Sequence, residues 1–266
     1  MIRPVSRCGL CLSTSELRNS HLLPAALYNM ARNLSGGTDP NPAVVTPSRS
    51  FTSSKQVSSP FLCEVCEGRF SRNGESYVLD QCFRPNDRFK LRELLKAAVP
   101  LESDVRYDVY DVQPLLGNEV DQYLYFAASV FWRASAHHWR MGAERVAKIS
   151  LGAKHQEQFR LYLLGKEPFP DGARLFVHVS SETEPHRATV FPCVTRTNGV
   201  HRHKFYIPGL LFILFLSGHA IGKFDSGALN SRQRKLMWLC PWEEDSLFRG
   251  ALRLVKASTP TGNLRK

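Results

Sequence analysis

The sequence predicts an α+β protein built in two parts, and three observations carry that expectation. Two Cys-x-x-Cys pairs, Cys8-Gly-Leu-Cys11 and Cys63-Glu-Val-Cys66, enclose most of the first quarter of the chain. A long helical spacing runs from Glu119 to about Met141, with Tyr123, Phe126, Val130 and Ala134 recurring along it. After Pro168 the pattern changes to strands: 174–179, 188–191, 204–207 and 210–216, with Asn198-Gly199 as a hairpin-turn signal. These elements divide the 266 residues into a module at 1–85 with a loop at 33–60, a connector at 86–118, and a basic α+β domain at 119–266.

Within the first part, Pro24 suits the first turn of a short helix that runs to Arg32. The Ser-, Thr-, Gly- and Pro-rich loop that follows has room for a hairpin around Val44 and Val45. A helix is expected from Cys66 through Glu75, and a second, amphipathic one over 91–98 that Pro100 ends. In the second part His155–Leu164 reads as a helix stopped by Gly165, and the tail from Ser258 as frayed.

Composition narrows the class. With 43% hydrophobic and 11% aromatic residues, the chain can build a core and is not generally disordered. Its formal charge of +11 favours a polyanionic partner, nucleic acid first and an acidic membrane surface second, with a functionally neutral basic surface as the plain alternative. The longest apolar run, 207–216, is broken by Pro208-Gly209 and falls well short of the ~20 residues that span a bilayer, so no membrane partner is expected. Seven cysteines, an odd count, fit metal ligation in a reducing cytoplasm better than a secreted disulfide framework. The opening residues do not form a secretory signal.

The two cysteine pairs carry the strongest chemistry. Four thiolates at this spacing close a tetrahedral zinc site, with reduced structural or redox-active cysteines as the alternative. The 51 residues between Cys11 and Cys63 exceed the span of a compact finger, so something is built between the pairs. Inside that span stands Ser20-His21-Leu-Leu-Pro24.

A Cys-x-x-Cys pair, then a histidine in Ser-His-x-x-Pro, then Leu-Cys-x-x-Cys followed by a polar residue resembles the zinc-braced HNH nucleases of the ββα-metal, or His-Me finger, superfamily. The resemblance covers roughly residues 5–80. It implies a zinc-bound ββα-metal-like module in which Cys8, Cys11, Cys63 and Cys66 hold structural zinc. It also implies that His21 is the general base for phosphodiester hydrolysis and that Glu67 stands at a ligand position for a catalytic Mg²⁺ or Mn²⁺. Two positions depart from the family pattern. Ser20 replaces the acidic residue before the histidine, and Val57-Ser58-Ser59 occupies the place of an expected asparagine. His21 therefore also has a structural alternative, as a substitute zinc ligand or a hydrogen-bonded histidine.

Two further stretches suit phosphate. In Ser129–Arg140 a continuous helix would line Arg133, His137 and Arg140 along one face beside Trp132 and Trp139, a pattern for nucleic-acid contact and also for an ordinary amphipathic helix with buried tryptophans and solvated arginines. The basic hairpin at 196–204 adds Arg202 and Lys204 as phosphate contacts, with His201 and His203 on one side of its strand. No P-loop, Rossmann fingerprint, Gly-x-Ser-x-Gly elbow or HExxH is present, which disfavours the enzymes built on them. Two functions remain: a metal-dependent endonuclease, or a zinc-stabilised module that binds nucleic acid or a protein partner without cleaving.

Overall fold

A computed structural model describes residues 3–31, 41–45, 49–84, 88–142, 144–147, 149–183, 188–197, 200–216, 221–241 and 246–262. It is mixed α and β, as the sequence indicates.

The N-terminal half starts with β1 (Val5–Arg7) and β2 (Thr14–His21), followed by a short α1 (Ala25–Met30) that opens directly after Pro24. The hairpin expected around Val44 forms as β3 (Ala43–Val45) and β4 (Arg49–Thr52), paired antiparallel. Next come β5 (Ser58–Cys63) and α2 (Glu64–Phe70). A π turn at Ser71–Glu75 continues into α3 (Ser76–Gln81). Strands β1, β2 and β5 make one small sheet in that order, and α2 leaves it directly from Cys63. The β2–β5 register shifts between Arg18 and Asn19, which face Leu62 and Pro60 and leave Phe61 of β5 as the extra residue of a bulge. Leu17 and Ser20, three residues apart, are both buried, and His21 is half-buried.

The stretch read as a connector contributes α4 (Lys90–Ala97), β6 (Glu102–Asp104), β7 (Tyr107–Asp111) and a four-residue α5 (Gln113–Leu116). Then comes α6 (Val120–Ala136), with 13 of its 17 residues buried. A helix this apolar all round has no wet face, so its sequence spacing marks only part of what is buried. The expected continuation to Met141 does not occur. His137 is extended, and the Trp139 indole donates to the Arg133 carbonyl at 2.8 Å, closing the C-terminus.

The remainder is β8 (Arg140–Met141), β9 (Glu144–Arg145), α7 (Gly152–Leu163), β10 (Ala173–Ser180), β11 (Val190–Thr197), β12 (Val200–Ile207), β13 (Leu210–Leu216), α8 (Ile221–Phe224), β14 (Leu236–Cys240), α9 (Ser246–Ala257) and β15 (Thr259–Pro260). A seven-stranded sheet forms in the order β11-β12-β13-β10-β14-β7-β6. It is antiparallel except for the β10–β14 pair. The Asn198-Gly199 turn lies outside the described residues, although its flanks pair as Thr197 with Val200. The tail is not frayed through Pro260: Thr259 and Pro260 pair in parallel with Arg49 and Ser50 of β4.

Helix α6 lies on one sheet face, where Phe126 and Phe131 meet Phe205 and Phe212 with ring centroids 4.9–5.9 Å apart. The opposite face carries its own cluster of Tyr206, Leu211, Ile213 and Phe215. The larger core is continuous from Cys8 to Leu239, so both halves bury apolar surface together.

His203, on the α6 side of β12, is buried and its Nδ1 has no hydrogen-bond partner. Burial pushes its pKa down to about 4, with His201 and His155 adding to the effect. The folded value lies below the ordinary 6.5, so between those pH values the unfolded chain binds the extra proton and stability falls as pH drops. We expect urea unfolding to show a loss of about 3 kcal/mol across that window. His203→Phe should flatten that part of the pH profile.

Candidate functional site

The four cysteines come together as the spacing requires. Cys8, Cys11, Cys63 and Cys66 place their sulfurs within 4.8 Å of one another. Among the described residues they are the single such group of three or more His, Cys, Asp or Glu side chains. A tetrahedral site with Zn–S bonds of ~2.3 Å needs sulfurs roughly 3.8 Å apart, and Cys11 and Cys63 stand at 3.9 Å. The donor set therefore fits a thiophilic divalent ion, zinc foremost.

Local backbone builds each half of the centre. The first turn closes through Leu12 N–H to the Cys8 carbonyl at 3.0 Å, with Leu12 in the left-handed region (φ 66°). Gly9 donates to the Phe61 carbonyl at 2.9 Å, and a Cβ on it would lie 2.1 Å from the Phe61 ring, so only glycine fits. Cys63 caps the start of α2, and its N–H points at the Cys8 sulfur, 3.3 Å away. The hydrogen bond from the Cys66 thiol, aided by backbone N–H groups, holds the Cys8 thiol down at about 4, as a thiolate ligand requires, while that same bond to Cys8, together with burial, pushes Cys66 up.

Beside this knot lies a polar cluster organised by Arg133. Only 1% of its side chain is exposed. Its Nη1 donates to the His21 carbonyl at 2.9 Å, and its Nη2 to Glu75 Oε1 at 2.7 Å and Ser129 Oγ at 3.3 Å. Its Nε donates to the Ser129 carbonyl at 3.2 Å, and the Phe70 ring lies 5.1 Å from the guanidinium. The solvent-facing Arg133 of the helical-wheel expectation is thus corrected. With α6 buried all round, this charge must be satisfied inside the protein.

His21, at the end of β2, is half-buried. Burial holds its pKa below the usual histidine range, assisted by Arg133 and opposed by a hydrogen bond that the imidazole donates to Gln56 and by the charge of Glu75. It is neutral at physiological pH and so able to accept a proton. Glu67 sits on α2, one residue after Cys66. Burial pushes its carboxyl up, against the pull of the Ser20 hydroxyl and of Arg133, and its Oε1 has no hydrogen-bond partner. His21 and Glu67 thus lie in the field of the same Arg133–Glu75 pair. Ser20 is buried, and its Oγ accepts the Leu62 N–H at 2.9 Å, a structural use of the position where the resembled family carries an acid.

The other expected phosphate contacts do not gather here. His137 packs against Phe61 and Trp139, with ring centroids 4.8 and 4.9 Å apart. Trp132 and Trp139 are buried, Trp132 stacking on Phe61, which agrees with the core alternative for these tryptophans. Arg140 is exposed on β8, beyond the helix. Arg202 lies over the Phe215 ring at 5.6 Å and Lys204 is buried, both on β12 of the large sheet. Sequence reasoning did not single out Glu75 and Gln56. No motif marks either, because the π turn that carries Glu75 and the loop that carries Gln56 meet His21 only through the fold.

Gly74, within the π turn, shows how tightly this arrangement is set. A Cβ there would stand 2.9 Å from the Gln122 carbonyl oxygen and the Phe126 nitrogen of α6, both backbone atoms that cannot swing aside. Gly74→Ala should cost about 1–3 kcal/mol in denaturant unfolding and displace Glu75 from Arg133. Arg133→Met should cost about 3–5 kcal/mol, because it strands the partly buried Glu75 carboxylate, and adding Glu75→Gln should recover much of the loss in a double-mutant cycle.

No family model, curated protein or solved structure matches this chain, and its function is therefore argued from the chemistry of these residues.

Proposed function

We propose that the protein is a zinc-braced, metal-dependent nuclease of the HNH kind, acting on nucleic acid. One observation carries this reading: the Cys₄ knot joins the β2–β5 strand pair to α2, and the same frame carries a neutral, half-buried His21 on the strand and Glu67 with a free carboxylate oxygen on the helix. The formal charge of +11 supports a polyanionic substrate.

In this reading His21 removes a proton from the attacking water, which its lowered pKa allows at neutral pH. Glu67 would hold Mg²⁺ or Mn²⁺, with substrate phosphate and water as the other ligands, a set these ions accept. When bound, such an ion neutralises charge developing at the scissile phosphate. Arg133 fixes the His21 backbone and contributes positive potential from inside the protein, in place of the direct phosphate contact expected of it. The cysteines would hold zinc as a cross-link, not as a reactant.

A specific observation favours a second reading. Ser20 is already used by the Leu62 N–H, and Glu75 is neutralised by Arg133. Neither supplies the second acid of an ordinary cation site, as expected of a zinc-stabilised module that binds nucleic acid or a protein and does not cleave.

Purified protein incubated with plasmid and single-stranded DNA and Mg²⁺ or Mn²⁺, beside His21→Ala, separates the two. The nuclease reading expects cleavage that falls about 10²–10⁴-fold in the variant. It also expects the acid limb of the rate profile to lie below pH 6.5, because His21 titrates below that value. Salt-sensitive binding without cleavage would establish the second reading instead.

A further inference from the structure

The first cysteine turn is held from outside its own module. Helix α7 carries Arg160, whose Nη1 donates to the Leu10 carbonyl between Cys8 and Cys11 at 2.8 Å. Both oxygens of Glu157, three residues earlier on the same helix, accept from the other side of the guanidinium at 2.8 and 2.7 Å. The fork is therefore locked before it reaches the turn. Its charge interacts with Cys11, the half-buried member of the four, whereas Cys8, Cys63 and Cys66 are buried. A second tie runs from Arg69 on α2 to the Leu164 carbonyl just past α7, at 3.3 Å.

Four thiolates around one divalent ion leave two uncompensated negative charges. N–H groups relieve part of that at Cys8, from Cys63 across the knot and from Leu10 and Cys11 within the turn. Cys11 lies at the opposite, accessible corner, where a chelator or competing ligand arrives first. That corner is where Arg160 is fixed.

We propose that Arg160 is a positioning residue of the metal centre: it pins the Leu10 carbonyl, offsets thiolate charge at Cys11, and slows escape of the metal through this corner. The inference rests on the metal reading of the thiol cluster and is independent of nuclease activity. It makes the second half of the chain part of the metal site, with α7 as the strut.

The test uses the full chain, its zinc content by elemental mass spectrometry, and the rate of zinc transfer to an excess of chromogenic chelator. Arg160→Gln should release zinc about 10–100-fold faster, the scale on which outer partners act on metal sites. Arg160→Lys keeps the charge but loses the fork and should fall between. Glu157→Gln should move the rate in the same direction by less. Tyr125→Phe serves as the structural control, because it removes the 2.7 Å bond from Tyr125 Oη to the Leu163 carbonyl in the same last turn of α7 while leaving every hydrogen bond of Arg160 and of the cysteine turn in place. It should leave release unchanged. Wild-type release from Arg160→Gln, or equal acceleration by Tyr125→Phe, overturns the proposal. If Arg160→Gln does not fold, Arg160→Lys decides by the same criteria. A folded wild-type chain that carries no zinc overturns the metal reading and the proposal together, whereas a zinc-bound chain indifferent to Arg160 overturns the proposal alone.

Discussion

A guanidinium cannot lose its proton inside a protein, so a buried arginine dictates what surrounds it. Arg133 sits in a helix covered on every side, and its donors have four acceptors: a backbone carbonyl from the end of β2, the Glu75 carboxylate from the π turn, and the Ser129 carbonyl and hydroxyl from its own helix. Remove any outside partner and a buried donor or a buried carboxylate is stranded, at a cost comparable to a large share of a domain's net stability. The strand end, the π turn and the central helix therefore occupy one mutual arrangement. His21 inherits its backbone position from that constraint.

The cysteine knot acts at the other end of the same frame. The four cysteines bring chain entry into β2 beside the exit from β5 into α2, and an ion held by them would cross-link regions too short to bury much apolar surface alone. Phe61 then docks the strand against Trp132 and Trp139, so the small sheet is clamped between the cysteine cluster and an aromatic core. Glu67 lies between the two constraints. Cys66 beside it belongs to the knot, Arg133 and Glu75 set its field, and its carboxyl is raised by burial but pulled back by Ser20 and Arg133.

The π turn deserves its place in this account because it solves a packing problem. An uninterrupted α-helix from Glu64 to Gln81 would present a different residue toward Arg133. One wider turn, with Gly74 against the α6 backbone, rotates Glu75 inward and lets two helices approach without a side chain between them. The bulge at Phe61 of β5, opposite Arg18 and Asn19, is a comparable irregularity in the small sheet, where Leu17 and Ser20 are both buried. Both irregularities border the same polar cluster.

The sequence by itself determined the α+β class, the cysteine set, the hairpin at Val44 and most strands of the large sheet. Each rests on local chemistry: ligand spacing, turn residues or runs of branched and aromatic side chains. The polar strands at 102–104 and 107–111 escaped notice because they carry little apolar signal: the edge strand β6 pairs only with β7, and β7 joins the large sheet only through β14, far away in the chain. The tail at Thr259–Pro260 pairs with β4, more than two hundred residues away, for which no local pattern exists. Arg133 was placed on a wet face because helical spacing assumes one face meets water, and only the tertiary structure decided that α6 has none. His21 and Glu67 could be named from their neighbours in sequence. What surrounds them could not, because Glu75, Gln56 and Arg133 reach them through packing between elements distant in the chain, and electrostatics acts through space, not along the backbone.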